Sequence, residues 1–266
     1  MNKALKIAGY AVLAIVVLLL ALFGYYYFSR TIPINSATGQ MGPPADTLTA
    51  GGMNFRDLNK NGSLDPYEDR RLAIEARVED LLARMTVEEK AGMMFHSFLT
   101  IGPDGDLAGA LNPLNVLPVQ VALFGKKMNF FNLFNVPDVT GLARWHNTVQ
   151  RLAERTRLGI PVTISSDPRH TAMKSGAAIG FYTEGFSHWT EPIGFGAIGD
   201  PELVRRFGQI AAREYRAVGI HVALHPMVDL ATEPRWGRIS GTFGEDAEVA
   251  AELGAAYING FQGDSL

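Results

Sequence analysis

The first pattern along the chain is an unbroken apolar run from Ile7 to Phe28, with two lysines ahead of it and an arginine just beyond. About twenty consecutive apolar residues are enough for a helix to cross the hydrocarbon core of a bilayer. Three tyrosines, residues 25–27, close the run as an interfacial aromatic belt would, and the lysines favour a cytoplasmic N-terminus. We therefore expect a single-pass transmembrane anchor over residues 1–28 in the inner (cytoplasmic) membrane, with the main domain periplasmic or extracellular. A cleaved signal peptide is the alternative, although the run is long and ends in aromatic rather than small residues.

Residues 29–55 show no periodic pattern. They contain three prolines and the pair Gly51-Gly52, which is typical of irregular structure. We expect a linker that holds the folded part of the chain off the membrane.

Residues 56–69 contain the spacing of an EF-hand-like calcium loop. Positions 1, 3, 5, 7, 9 and 12 of the loop are Asp57, Asn59, Asn61, Ser63, Asp65 and Glu68. Gly62 at position 6 allows the sharp turn, and a calcium ion takes six to eight oxygen ligands from such a loop. Because the preceding residues are not typical of a helix, we expect a lone loop that binds a structural Ca2+ weakly. The alternative is an Asx-rich turn without an ion.

Helical and strand patterns alternate over residues 70–266. Apolar positions at helical spacing predict helices near 65–85, 139–158, 200–218 and 247–260, and a capping box at Thr86 and Glu89 starts another. Short apolar runs predict strands near 93–98, 128–134, 161–165 and 221–228. This order of strand, loop and helix is that of a parallel α/β barrel, whose chemistry lies in the loops after the strands.

The strand count predicts only part of such a barrel. A (β/α)8 TIM-type barrel needs eight strands, and the pattern predicts four or five. Half a barrel leaves two open edges, so we expect part of a barrel domain over residues 70–266, with the rest supplied by a longer chain. The charge-poor insertion over residues 100–127 is expected to be a surface loop; covering the barrel mouth and touching the membrane remain open alternatives.

Candidate ligand-binding side chains cluster in two loops that follow predicted strands. Asp167 and His170 follow the run near 161–165, and the segment PRWGR, with Arg235, Trp236 and Arg238, follows the run near 221–228. A carboxylate can accept hydrogen bonds from two neighbouring hydroxyls, and a guanidinium donates several, so both suit a polyhydroxylated ligand. The alternatives are an Asp-Pro turn at Asp167, a structural ion pair at Arg235 and simple packing of Trp236.

Three segments together resemble glycoside hydrolase family 3, the family of β-glucosidases, β-xylosidases and exo-glucanases. They are VEDLLARMTVEEKAGMMF, RLGIPVTISSDPRH, and VDLATEPRWGR followed by TFGED. The resemblance covers roughly residues 70–263 and implies that they are about the first half of the family's barrel domain. It implies that Asp167 holds sugar hydroxyls at the innermost subsite and that Arg238, a better match than Arg235, contacts the sugar ring. His170 keeps the family spacing, as a ligand or as a residue that orients the loop, and Trp236 would stack on sugar or pack.

The resemblance also implies that the catalytic groups lie elsewhere. Family 3 enzymes are retaining glycosidases, which need a nucleophile and an acid/base about 5 Å apart. In the family the nucleophile lies in an SDW-like motif after a Lys-His-Phe segment, and the acid/base lies further on, usually in a second α/β domain. This sequence contains neither a Lys-His pair nor an SDW motif. We therefore expect no catalytic residue in this chain, and no activity from the chain alone.

The expected function is that of a β-glucosidase-type glycoside hydrolase that removes terminal β-linked sugars, represented by its N-terminal portion. Its partners would be a carbohydrate and, through residues 7–28, a membrane. The alternatives are a non-catalytic, membrane-anchored module that binds calcium and carbohydrate, a truncated pseudoenzyme, and a half-barrel completed by another chain.

Composition and one further motif exclude other classes. The net charge of −3 gives no basic excess for nucleic acid, and the absence of cysteine excludes disulfides and thiolate chemistry. Gly194, Gly196 and Gly199 form a GxGxxG, but the preceding segment is polar and Gly219 stands where a dinucleotide site needs an acidic residue. We expect no organic cofactor.

Overall fold

The N-terminal helix is longer than the apolar run that predicts it. The structure, a computed structural model, describes residues 3–110, 112, 114–136, 138–172 and 182–263. Helix α1 extends over Lys3–Thr38. Its stretch Lys6–Thr38 is long and apolar enough to cross a membrane, and it lies near the N-terminus, where a signal sequence would look the same.

The expectation of an irregular linker over residues 29–55 is wrong. Helix α1 continues to Thr38 because its last turns pack on the folded domain, where Ala37 is only 2% exposed; packing of this kind outweighs weak helix propensity. Strands β1 (Asp46–Ala50) and β2 (Met53–Asp57) then form an antiparallel hairpin. The pair Gly51-Gly52 makes its turn with φ angles of 60° and 77°, as tight hairpins require.

The helix predicted near 65–85 is broken in two. A 3-10 turn covers Pro66–Glu68, and helix α2 begins only at Ile74 and ends at Arg84. Between them the carboxylate of Asp69 accepts hydrogen bonds from the backbone and guanidinium of Arg71, at 3.0 and 2.6 Å, a local turn that competes with helix. Helix α3 (Val87–Met93) starts at Thr86 and Glu89 with both bonds of the predicted capping box.

Four parallel strands form the central sheet: β3 (His96–Leu99), β4 (Phe130–Leu133), β5 (Thr163–Ser166) and β6 (Ile220–Ala223). They lie side by side in chain order. Strand β6 is shorter than the predicted run to residue 228. Its last ladder bond runs from the Leu224 amide to the Ser166 carbonyl, and Pro226 has no amide hydrogen to continue the ladder.

Helices connect and cover the strands as an α/β barrel requires. They are α4 (Val139–Ala153), α5 (Pro192–Ile198), α6 (Pro201–Ala217) and α7 (Ala247–Gln262). Asp200 and Asp246 cap α6 and α7 by accepting two backbone N–H bonds each. The GxGxxG glycines lie in and at the end of α5, not after a strand, and Gly199 ends the helix with a φ of 66°.

Two apolar clusters hold these layers together. The first lies between the sheet, α4 and the π-helical turn Val121–Gly125, and the second joins α5, α6 and α7. The insertion over 100–127 is therefore not a plain surface loop, as expected above. Leu123 and Phe124 are 1% and 2% exposed within the first cluster, and the missing charge over 107–125 reflects that burial.

The sheet is open at both edges within the described part of the chain. Phe98 on the β3 edge is 54% exposed and Val222 on the β6 edge is 39% exposed. The apolar face of α2 is uncovered as well, with Ile74 at 69% and Val78 at 47%. Closure of an eight-stranded barrel would pair the β3 and β6 edges with further strands.

Candidate functional site

A cavity of about 160 Å³ lies where β5 and β6 end. Its walls come from the loop after β5, the segment after β6, and helices α5, α6 and α7. Its lining includes Asp167, His170, Phe195, Phe207, His225, Arg238 and Tyr257. The carboxyl ends of parallel strands are where α/β barrels carry their active sites.

A larger groove of about 650 Å³ lies at the opposite end of the strands. It is lined by the β1–β2 hairpin and by Glu154, Gly159 and Pro161, which precede β5. This is the amino-terminal end of the strand, where barrels place residues that serve stability. We therefore assign the candidate site to the smaller cavity.

Asp167 is held in place by neighbouring strands and helices. It follows β5 directly, and its Oδ2 accepts a hydrogen bond of 2.9 Å from the Nδ2 of the buried Asn132 on β4. Its backbone carbonyl accepts bonds of 2.9 Å each from the hydroxyls of Tyr215 and Ser166. Because a carboxylate has about four acceptor positions, the bond from Asn132 leaves capacity for a ligand.

His170 is buried below the cavity surface at 3% exposure. Its Nε2 lies 2.8 Å from Glu214 Oε2, and its ring stacks on Phe186 at 4.9 Å. Burial lowers the pKa of His170 to about 4, although the charge of Glu214 opposes this shift. The pair is therefore a neutral imidazole donating to a carboxylate rather than an ion pair. This geometry favours the loop-orienting alternative for His170.

A chain of hydrogen bonds connects α7 to the backbone of Asp167. Tyr257 Oη lies 2.6 Å from His225 Nδ1, and His225 Nε2 lies 3.2 Å from Tyr215 Oη. Burial lowers the pKa of His225 to about 3 and raises those of both tyrosines, so all three groups are neutral. Since Tyr215 donates its proton to Asp167, His225 must donate from Nε2 and accept at Nδ1.

Neither this hydrogen-bonded chain nor the buried Arg169 was predicted from the sequence. Tyr215 and Tyr257 occupy helical core positions, and His225 lies in an apolar run. The hydrophobic pattern therefore predicts only that these side chains are buried, not that their polar groups bond to one another. Arg169 is 1% exposed; its Nε donates to Ser166 Oγ at 2.8 Å and its Nη2 to the Leu133 carbonyl at 2.9 Å. A charged residue between Asp167 and His170 was the available signal.

The PRWGR loop divides between the cavity and the solvent. Arg238 lines the cavity, with Nη2 2.7 Å from the sulfur of Met227. Arg235 lies outside the cavity lining; its side chain is 89% exposed and pairs with Glu233 at 2.8 Å. Trp236 is half-buried and also absent from the lining. The structure thus brings together Asp167, His170 and Arg238, and leaves Arg235 and Trp236 outside.

The predicted calcium loop is folded around its own hydrogen bonds. Glu68 accepts from the amides of Leu58, Asn59 and Asp65 at 2.7, 3.2 and 3.0 Å. Asp65 pairs with Arg84 at 2.7 Å. Within the described residues, no three His, Asp or Glu side chains are grouped to hold a metal. In this arrangement the carboxylates of Glu68 and Asp65 are engaged by donors of the protein itself.

The fold and the cavity together indicate the class of protein to which this chain belongs. A parallel α/β half-barrel with a carboxylate and a guanidinium at the carboxyl ends of its strands is suited to a polyhydroxylated ligand. Residues 114–266 match the family model for the glycosyl hydrolase family 3 N-terminal domain. The chain therefore belongs to glycoside hydrolase family 3, and its half-barrel is the TIM-barrel-like fold of that domain.

Relatives support this placement. The chain is 48% identical over 208 residues to the probable beta-glucosidase C of Aspergillus oryzae, covering 78% of this chain and 32% of the relative. It is 45% identical over 219 residues to the periplasmic beta-glucosidase/beta-xylosidase of Dickeya chrysanthemi, covering 82% and 33%. The beta-glucosidase from Listeria innocua, whose structure with glucose is known, matches at 26% identity with a TM-score of 0.53, over 72% and 24%. The chain thus spans about a third of the length of the curated relatives it matches.

Proposed function

We propose that this chain forms the sugar-gripping half of a β-glucosidase-type active site. The observation that carries the proposal is that Asp167 and Arg238, from two different loops, line one cavity at the carboxyl ends of β5 and β6. The relatives named beta-glucosidases, at 45–48% identity, support glucose or a similar sugar as the ligand.

The grip follows from the chemistry of the cavity walls. The Asp167 carboxylate would accept hydrogen bonds from two adjacent sugar hydroxyls, and Arg238 would donate to a third oxygen. Phe195 and Phe207 offer an apolar wall for the C–H face of the ring. His170 and Glu214 would fix the position of the loop after β5, and neither would place a charged group against the sugar.

The two arginines of PRWGR give a matched test of this assignment. We expect Arg238→Ala to abolish saturable glucose binding, measured by saturation-transfer NMR on the chain. Arg235→Ala, three residues away and outside the cavity, should leave binding unchanged. Equal effects of the two substitutions would contradict the assignment.

Bond cleavage would require catalytic carboxyl groups in addition to the residues that hold the sugar. A retaining mechanism needs two carboxyl groups about 5 Å apart across the glycosidic bond, and Asp167 is the one carboxylate to which we assign a sugar contact. We therefore expect the 266-residue chain to bind sugar without hydrolysing aryl β-glucosides. Product release above a buffer blank would refute this expectation. If a longer chain that includes the remaining strands also failed to hydrolyse the substrate, the result would favour a binding module.

We also propose that α1 is an uncleaved anchor in the inner membrane with the barrel on the periplasmic side. Its length and apolar surface, and the periplasmic relative, support this. The chain should then resist extraction by alkaline carbonate and retain residue 1 in its intact mass. Loss of the first residues would identify a signal sequence instead.

Calcium binding remains a proposal that rests on the spacing of residues 57–68. The ion would have to replace the amide contacts of Glu68 and the Arg84 pair of Asp65, so affinity should be weak. A rise in the unfolding temperature with millimolar Ca2+, absent with Mg2+ and absent in Glu68→Gln, is the expected result. No rise would leave the loop as an Asx-rich turn.

A further inference from the structure

The exposed turn around Asn115 has an inverted distribution of polarity. Asn115 is 2% exposed, and its Nδ2 donates to the carbonyls of Ala108 and Gly109 at 2.8 and 3.2 Å. Its two neighbours point outward instead: Leu114 is 39% exposed and Val116 is 77% exposed. A loop facing water normally turns its polar residue outward and its apolar residues inward.

The turn also lies in an uncharged stretch. From residue 107 to residue 125 the sequence has no acidic or basic side chain. The later part of this stretch is buried, as described above, which explains its lack of charge. Burial does not explain the outward apolar residues Leu114 and Val116.

A hydrogen bond fixes the position of the turn along α1. The guanidinium of Arg30 donates to the Asn115 carbonyl and lies over the Tyr26 ring, 5.3 Å from its centroid. Arg30 follows directly after the apolar run that ends at Phe28. That run is about 33 Å long as a helix, which matches the hydrocarbon core of a bilayer.

The depth of Arg30 follows from its charge. A guanidinium is costly in the hydrocarbon core, so in an inserted α1 it would lie at the level of the lipid headgroups. Asn115, bonded to Arg30, would lie at that same level. Leu114 and Val116 are each one residue, about 3.8 Å along the backbone, from Asn115.

We propose that the turn Leu114–Val116 inserts into the lipid interface beside α1, so that the barrel is attached to the membrane at two points. This inference rests on the proposed anchor. A second contact would hold the barrel in one orientation against the membrane, instead of letting it swing on a tether. The partner is the lipid surface itself, because the inverted turn is fixed at the point where α1 leaves the bilayer.

The absence of cysteine allows a clean test with single labelled positions. Val116→Cys would carry an environment-sensitive fluorophore, with the chain in phosphatidylcholine vesicles. One set of vesicles contains a lipid spin-labelled near the headgroup, and a second set contains a lipid spin-labelled deep in its acyl chain. Val87→Cys is the matched control, because Val87 is also a valine with 77% exposure. Leu18→Cys reports on the span itself.

The control position lies well away from the proposed contact. Val87 begins α3, whose Glu89 lines a groove together with Gln40, just past the end of α1. From Arg30 to Gln40 the chain rises about 15 Å, at 1.5 Å per residue. The label at position 87 should therefore lie above the headgroups.

We expect strong quenching by the headgroup label at position 116 and by the acyl-chain label at position 18, and several-fold weaker quenching by either label at 87. Quenching at 116 equal to that at 87, with 18 quenched, would overturn the lipid contact and leave the anchor intact. Shielding of 116 from aqueous iodide without lipid quenching would mean that protein covers the turn, which also overturns the proposal. Lack of quenching at 18 by the acyl-chain label would refute the anchor itself, and the turn's insertion with it.

Discussion

Gly196 in helix α5 allows the packing of the site to be tested by a single methyl group. A Cβ added to Gly196 would lie 1.9 Å from the backbone carbonyl oxygen of Phe243, whereas real Cβ atoms stay at least 3.0 Å away. Phe243 is 2% exposed in the second apolar cluster, so its backbone has little room to move. The substitution Gly196→Ala should therefore push α5 and its cavity residue Phe195 by more than 1 Å or leave severe strain.

Two opposing terms decide the sign of the effect. Alanine in place of glycine within a helix stabilises by about 1 kcal/mol. Overpacking of a close-packed contact typically costs 1–3 kcal/mol, and a backbone contact this close belongs at the upper end. We expect a net loss of roughly 1–2 kcal/mol, which lowers the unfolding temperature by about 2–8 °C for a domain of this size.

Gly194→Ala is the matched control in the same helix. Its added Cβ would also meet an atom at 1.9 Å, but that atom is Thr190 Oγ1, which can rotate away. The control should keep part of the stabilisation that alanine gives within a helix, so its urea midpoint should equal or exceed that of the unsubstituted chain. Unfolding is followed by far-UV circular dichroism in micelles. Equal midpoints for the two variants, or a more stable Gly196→Ala, would refute the account.

Two further predictions concern the buried groups. His170 and His225 stay neutral in the folded state, with pKa values near 4 and 3, so below pH 6.5 only the unfolded state takes up protons at these two side chains. The unfolding free energy should therefore fall by roughly 2 kcal/mol per histidine between pH 7.5 and pH 5. Urea midpoints that agree at the two pH values would contradict this. Leu142→Ala, at a fully buried core position, should lower the unfolding free energy by about 2–5 kcal/mol. Val78→Ala, on the uncovered face of α2, should change it by less than about 0.5 kcal/mol. Comparable losses of stability in urea titrations would mean that α2 is covered.

Local signals in the sequence predicted those parts of the fold that local physics determines. The capping box at Thr86 and Glu89 needs only two side chains next to exposed amides. The order of strands and helices follows from periodicity. The family placement needed long ordered segments, and the match over residues 114–266 confirms it.

The features that sequence analysis missed depend on contacts between distant segments. The extension of α1 to Thr38 comes from packing on the insertion, which no pattern near Pro33 indicates. The chain through Tyr257, His225 and Tyr215 joins three elements that sit beside one another only after the sheet forms. Periodicity places these side chains inward but says nothing about which polar atoms meet.

The central claim is that sugar binds in the cavity lined by Asp167 and Arg238, and the location of bound glucose tests it most directly. In an isotope-labelled chain, glucose titration should shift amide signals over residues 167–172 and 224–241, with saturation, and Asp167→Asn should abolish these shifts. The control Glu202→Gln, at a carboxylate 76% exposed on α6, should leave them intact. Shifts confined to the groove near Glu154 and Gly159, or unchanged in Asp167→Asn, would contradict the claim.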